Sequence, residues 1–180
     1  MKIEKRKAIK NFTLEVIDFF LGIPESFIIA FDRKEFYRQM NGFATEKQLT
    51  CENIARLVSN LKRSGYVKVK KTSGGESIQF TNKARLSVVD RIVGRTETDH
   101  KHRFVSFDIP ERLRISRDQF RRAIKKMGFI QIQKSLWVCN KNIGELVELA
   151  AYEYKVEKYI VYIISEKTDI DGIIERKFRQ

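Results

Sequence analysis

Between Arg103 and Trp137 the chain is written in a way that few folds accept. Phe104-Val-Ser-Phe-Asp-Ile-Pro-Glu111 reads as an apolar strand that delivers one carboxylate, Asp108, to its C-terminal end. Pro110 suits the first turn of a helix, where its missing N–H would have no partner anyway. The helix predicted over Pro110 to Met127 carries Arg112, Arg114, Arg117, Arg121, Arg122, Lys125 and Lys126, and it turns Phe120, Ala123, Ile124 and Met127 inward. Gly128 stops it. Strands two and three follow between Phe129 and Cys139, parted near Lys134-Ser135, and then a helix over Asn142 to Tyr152 with Ile143, Leu146, Val147 and Ala150 inward. A fourth strand is predicted over Lys158 to Ser165 and a short terminal helix over Ile170 to Phe178. Strand, helix, two strands, helix, strand is the ferredoxin-like βαββαβ order.

The first half has a different rhythm. Leu14, Ile17 and Leu21 are spaced for a helix from about Ala8 to Leu21, closed by Gly22 and Pro24. A second helix is predicted from about Pro24 to Met40, broken at Asn41-Gly42. Thr50 is a good N-cap for a third, in which Ile54, Leu57, Val58 and Leu61 recur at i, i+3, i+4 and i+7 as a buried stripe ending at Ser64-Gly65. Tyr66 to Lys71 alternates apolar and basic residues, Thr72-Ser-Gly-Gly-Glu76 turns the chain, and Ser77 to Thr81 returns it. A helix from Asn82 to Val93, with Leu86, Val89 and Ile92 inward, completes the region. Three helices and then a hairpin is the winged helix-turn-helix order, with Ser73-Gly74-Gly75 at the wing tip. The expected fold class is therefore α+β: a winged helix-turn-helix over 1–93, a polar linker over 94–101 and a ferredoxin-like dimerisation domain over 102–180.

Charge narrows the function. Of 180 residues 36 are Lys or Arg and 23 are Asp or Glu, a net +13. The excess is shared, with 19 basic and 12 acidic residues before position 100 and 17 and 11 from there on. An imbalance of that size points to a polyanionic partner that either half is equipped to face. Cys51 and Cys139 form no C-x-x-C pair, which suits a reducing cytoplasm and argues against a disulfide scaffold or a zinc site. The most apolar stretch, Val16 to Phe31, is interrupted by Asp18, Pro24 and Glu25 and does not span a bilayer, and Glu15 and Asp18 fall where a signal peptide needs its apolar core. The expected setting is cytoplasmic, without a membrane partner. No phosphate loop, dinucleotide-binding turn or Ser-His-Asp arrangement points to a conventional small-molecule enzyme.

Candidate site residues lie in three places. With its stripe buried, the third helix shows Glu52, Asn53, Arg56, Ser59, Asn60 and Arg63 on its other face. Asn and Arg make paired hydrogen bonds to adenine and guanine edges in the major groove, so Asn53, Arg56 and Asn60 are base-reading candidates, flanked by Ser59 and Arg63. Lys68, Lys70 and Lys71 on the hairpin suit phosphates beside the groove. Arg114, Arg117 and Arg121 share a helical face that either follows a duplex backbone or is simply solvated. Asp108 reads either as a cap on the basic helix, with Pro110 in the first turn, or as a ligand of a divalent ion that activates water. One carboxylate per chain is a thin metal site. His100 and His102 have no third ligand nearby in sequence and read as solvated linker. No cofactor, metal or catalytic residue is expected, except Asp108 with magnesium or manganese under a nuclease reading.

Arg103-Phe-Val-Ser-Phe-Asp-Ile-Pro-Glu111, Met127-Gly-Phe129 and Gln133-Lys-Ser-Leu-Trp137 resemble the middle domain of the PaaX-like transcriptional regulators, the phenylacetate-repressor family. They also resemble a structural relative, the small CRISPR-adaptation protein called Cas-two. Ile54-Ala-Arg-Leu-Val-Ser-Asn-Leu-Lys-Arg-Ser-Gly-Tyr66 looks like the first family's recognition helix running into its wing. The resemblance implies a homodimeric, sequence-specific DNA-binding regulator, a repressor in kind, whose partner is double-stranded DNA and which leaves room for an unidentified small-molecule effector. The family's further C-terminal domain has no counterpart in these 180 residues, so a coenzyme A thioester ligand is not carried over. Cas-two proteins, a lone ferredoxin-like domain, imply the alternative: a metal-dependent endonuclease or a non-catalytic spacer-integration adaptor. In the nucleases an aspartate at the place of Asp108, one from each of two subunits, holds the ion. Pairing is expected through the sheet face that the helices leave bare, with Trp137 on a contributing strand.

Overall fold

The computed structural model describes residues 2–21, 30–47, 51–73 and 75–179. The chain forms two compact units, Met1–Val88 and Val89–Gln180. The architecture is mixed α+β with two antiparallel sheets.

The first unit opens with α1 (Lys2–Leu21), which starts earlier than its spacing predicts. Strand β1 (Ala30–Asp32) and helix α2 (Arg33–Glu46) occupy the stretch predicted as one helix, whose residues 24–29 lie outside the described ones. Asp32 fixes where α2 begins, its carboxylate accepting from the Glu35 N–H at 3.0 Å. Asn41-Gly42 does not break α2. Phe36, Met40, Phe43 and Ala44 make one buried stripe across it, and the Phe43 ring lies 5.8 and 5.1 Å from those of Phe12 and Phe19. That packing outweighs the roughly 1 kcal/mol that a mid-helix glycine costs.

Helix α3 (Cys51–Arg63) has the expected stripe, with Ile54, Leu57, Val58 and Leu61 all buried. Its expected cap Thr50, and Gly74 of the expected wing tip, lie outside the described residues. Strands β2 (Val67–Thr72) and β3 (Gly75–Phe80) form a hairpin, to which β1 adds on the β3 side in the order β1-β3-β2. Helix α4 (Asn82–Ser87) follows, capped by Thr81. The single helix expected over Asn82 to Val93 divides at Val88, and its remainder, α5 (Val89–Arg95), belongs to the second unit. Of its expected inward residues Leu86 and Val89 are buried, whereas Ile92 is half-buried and Val93 takes its place inside.

Residues 94–101 do not form a separate linker. They hold the end of α5 and the first turns of a ten-residue strand, β4 (Thr98–Phe107). The polar run disguises a strand because β4 is bulged between Thr98 and Arg103, where His100 takes a φ of +61° and the side-chain alternation is lost. A short 3-10 turn (Glu111–Leu113) leads into α6 (Arg114–Lys126), then β5 (Ile130–Gln133), β6 (Leu136–Lys141), α7 (Gly144–Glu153), β7 (Ile160–Ser165) and α8 (Asp171–Phe178). Gly128, at φ +83°, lets the chain leave α6. The sheet order is β5-β6-β4-β7, antiparallel throughout.

Arg103, Val105 and Phe107 point to one face of this sheet, where Phe107 meets Phe120 of α6 edge-on at 5.6 Å. Trp137 pairs across from Val105, so it lies on that same helix-covered face and is buried there. The other face is not bare, contrary to expectation. Helix α8 lies on it, with Ile174 fully buried against Phe104 and Val138 and with Ile132, Leu136, Ile170 and Phe178 around them. The sheet thus finds much of its second apolar cover within its own chain. No helix among the described residues is long and apolar enough to cross a membrane.

Candidate nucleic-acid interface

The two faces of α3 are sharply opposed. Behind the buried stripe, Glu52, Asn53, Arg56, Ser59 and Arg63 are exposed and Asn60 is half-buried. Glu52 in the first turn and Lys62 and Arg63 in the last each complement the helix dipole. The Arg63 guanidinium donates to Asn60 Oδ1 at 2.7 Å, which fixes that carboxamide and turns its N–H donors away from Arg63. The base-reading candidates of the sequence therefore stand together on one outward surface.

The hairpin places its lysines in two directions. Lys68 pairs across from Gln79 and Lys70 from Ser77, while Val67 and Val69 pair with Phe80 and Ile78. Val67, Ile78 and Phe80 are buried, so Lys68 and Lys70 share the face turned away from the core. Lys71 lies on the other side, across from Glu76, which in turn holds Arg33 at 2.9 Å. Lys83, a residue the sequence reading did not single out, donates to Ser64 O at 3.0 Å and lies 5.6 Å from the Tyr66 ring centroid. With Thr81 Oγ1 bonded to Gly65 O at 2.7 Å, it ties the base of the hairpin to the end of α3. The hairpin is thereby anchored to the end of the helix.

The arginines of α6 behave less uniformly than their spacing implies. Arg114 is exposed and has only 4.0 Å approaches to Glu111 and Asp118. Arg117 folds back, bonding Glu111 at 2.8 Å and Ile109 O at 3.3 Å, and so holds Glu111 below the usual carboxylate range. Arg121 lays its guanidinium 5.6 Å from the Phe107 centroid. Two of the three expected backbone contacts are thus engaged by the fold itself.

Asp108 is exposed at the tip of β4, where its N–H donates to Tyr159 O at 3.1 Å. It does not cap the basic helix: neither the 3-10 turn, whose N-cap is Pro110, nor α6, whose N-cap is Leu113, has a side-chain cap bond. Beside it, Arg112 lies 3.5 Å from Tyr159 Oη and lowers that phenol below its ordinary value, and Lys158 sits over the ring. Among the described residues no three His, Cys, Asp or Glu side chains gather as a metal site, and one carboxylate does not satisfy a hard cation. His102 is not in a linker but on β4, with Nε2 3.2 Å from Asp171 Oδ1 at the start of α8. The same carboxylate oxygen accepts from the Thr168 N–H and hydroxyl.

Neither the curated proteins nor the solved structures compared with the chain give a match. One family model does, described as the PaaX protein central Cas2-like domain, and it aligns with residues 95–173, from the end of α5 to the first turn of α8. Strand, acidic tip, basic helix and the three strands that follow all lie inside that match, so the second unit of this chain is similar to a PaaX central, Cas2-like domain.

Proposed function

We propose that the chain is a dimeric, sequence-specific DNA-binding transcription regulator of PaaX-like type, a repressor acting in the cytoplasm. In this reading the first unit is a winged helix-turn-helix. Its order of α1, β1, α2, α3, β2 and β3, with a small β1-β3-β2 sheet, suits that fold, α3 being the helix that enters the major groove and β2–β3 the wing. The second unit in this reading is a ferredoxin-like domain that pairs two copies; its strands, numbered within the unit, run 2-3-1-4 across the sheet, which supports the ferredoxin-like part. The similarity of the second unit to a PaaX central domain supports regulation. The observation that carries the reading is the outward face of α3, which presents Asn53, Arg56 and Asn60, together with a hairpin that turns Lys68 and Lys70 away from the core.

Arg56→Ala is expected to weaken binding to a preferred site by about 1–3 kcal/mol and to relax specificity at one position, while Lys70→Ala weakens all duplexes about equally. Titrations of specific and random duplex measure both. Equal affinity for the two duplexes, unchanged by Arg56→Ala, would remove α3 as the reading helix.

A second reading, a Cas-two-like nuclease or integration adaptor, is favoured by one feature, the exposed and unbonded Asp108 carboxylate. If that side chain is a bystander, Asp108→Asn keeps DNA binding and changes stability by no more than about 0.5 kcal/mol, since no cap bond is lost. Magnesium- or manganese-dependent cleavage of RNA or DNA that disappears in Asp108→Asn, in preparations matched for purity, would replace the regulator reading of this unit. We expect no cleavage above background.

A further inference from the structure

The two edges of the second sheet are built differently. Strand β5 is four residues long, its register against β6 shifts between Gln131 and Gln133, and both glutamines are exposed. A short, bulged, polar strand is a poor template for another chain. Strand β7 has none of these protections. It pairs with β4 without a break from His102–Ser165 to Phe107–Ile160, and it contains no proline or charge. Its outer side is unpaired in the β5-β6-β4-β7 order. Val161, Ile163 and Ile164 are 57%, 45% and 56% exposed. An edge that is regular, apolar and open is what a partner strand requires.

We infer that the β7 edge is the surface through which two copies of this chain pair, antiparallel and centred on Tyr162. The inference rests on the dimeric reading above and names its surface, replacing the bare sheet face that α8 takes up. Two copies adding edge to edge must share a two-fold axis normal to the sheet, so one residue of β7 faces its own copy. With Tyr162 at that point, Val161 faces Ile163 of the second copy and Ile160 faces Ile164 of the second copy. Every exposed apolar side chain of β7 then meets another.

Charge selects this register. Just beyond the ladder, Lys158 comes opposite Glu166 of the second copy and Glu157 opposite Lys167 of the second copy, all four being exposed. Glu166 already holds Lys101 at 2.9 Å and is 79% exposed, which leaves its second oxygen for Lys158. Centring on Ile163 instead sets Glu157 against Asp169 and leaves Val161 facing Ser165, and centring on Val161 sets Lys158 against Ile164. Only Tyr162 satisfies both the apolar and the charged positions. The walls are also ready: a cavity of about 470 Å³ runs beside the edge between α7 and β7, lined by Val147, Ala151, Ile160 and Tyr162, on the face where Ile164 of the second copy would lie.

The test uses the full chain. Val161→Lys with Ile163→Lys places like charges directly opposite each other twice, and we expect dimer dissociation to strengthen roughly a hundredfold or more by sedimentation equilibrium. Both positions are exposed, so the circular dichroism of this variant should match the wild type, and its melting should fall only by what loss of the dimer removes and should no longer depend on protein concentration. In a Cys51→Ser background, Val161→Cys with Ile163→Cys should give covalent dimers under mild oxidation, because facing Cα atoms of an antiparallel pair lie within disulfide reach. Gln131→Cys with Gln133→Cys on the β5 edge should not. A wild type that stays monomeric near 100 µM, on the scale of weak protein pairs, overturns both the dimer and its surface. A dimer that persists in the lysine variant and does not cross-link through β7 overturns this surface alone and leaves the dimer standing.

Discussion

Phe20→Ala is expected to destabilise the first unit by about 3–5 kcal/mol, enough to unfold much of it at 37 °C. Phe20 is fully buried, stacked on Phe36 at 4.9 Å, with Phe31 and Phe80 each at 5.3 Å. Its ring joins α1, β1, α2 and β3, so the cavity left by alanine opens where four elements meet, none of which can close it alone. Phe20→Leu, which keeps most of the volume, should cost about 1–1.5 kcal/mol. Denaturant unfolding of the three proteins gives these differences directly. Under the proposed function Phe20→Ala should also abolish specific DNA binding, although Phe20 is fully buried and not part of the outward face of α3. Full retention of stability in Phe20→Ala would mean that the aromatic cluster is not the core of this unit.

The second large effect concerns Arg103 and Asp99. Arg103 points into the helix-covered face of the sheet and is 2% exposed, yet it is charged. The bulge of β4 brings Asp99 round so that both carboxylate oxygens grip the guanidinium, and Lys101 O accepts from it as well. That hydrogen bonding holds the Asp99 carboxyl far below the usual carboxylate range and raises Arg103. A carboxyl whose pKa falls on folding stabilises the fold above its unfolded value, near 3.9, and that contribution drains away as the pH drops through the lower folded value. The second unit should therefore lose stability progressively below about pH 4. Asp99→Asn should flatten part of that slope, the rest coming from Glu111, Glu166 and Asp171, which are also held low, and should lower the melting temperature at pH 7, because the guanidinium stays buried without its counter-charge. The loss should exceed that of an exposed pair such as Arg179–Glu175. Melting curves from pH 2 to 6 on both proteins decide this, and parallel curves would assign the acid sensitivity elsewhere. Glu35 in the first unit, brought down to about 2 chiefly by Arg38, titrates in the same direction but at the surface.

The parts of this fold that the sequence announces are those with a strong period or a hard stop. The stripe of α3 is unbroken, and Phe104 to Gly128 carries its strand, its Pro110 and its terminating glycine in plain order. Strand β1 was invisible because three residues have no period, and its existence depends on the partner strand β3 far along the chain. The start of α2 was legible in principle: Asp32 with Glu35 three residues later is a capping pair, hidden by the apolar residues before it. Asn41-Gly42 misled because local propensity yields to the burial of Phe43. The sequence predicts helix α8 but not its landing place, since an amphipathic helix does not say which face of which sheet it will cover. At the candidate site, α3 and the hairpin were readable from alternation, whereas the folding-back of Arg117 and Arg121 was not, because spacing alone does not tell a solvated guanidinium from one laid on a ring.

The unequal margins of the second sheet bear on how large an assembly this chain can make. A sheet with two open margins adds neighbours at both sides and grows into a fibre. Here the β5 margin is bulged and polar, and the β7 margin is consumed when a two-fold mate arrives. In the dimer inferred above growth would stop at two, and the apolar strand that would be an aggregation hazard on its own would be self-limiting.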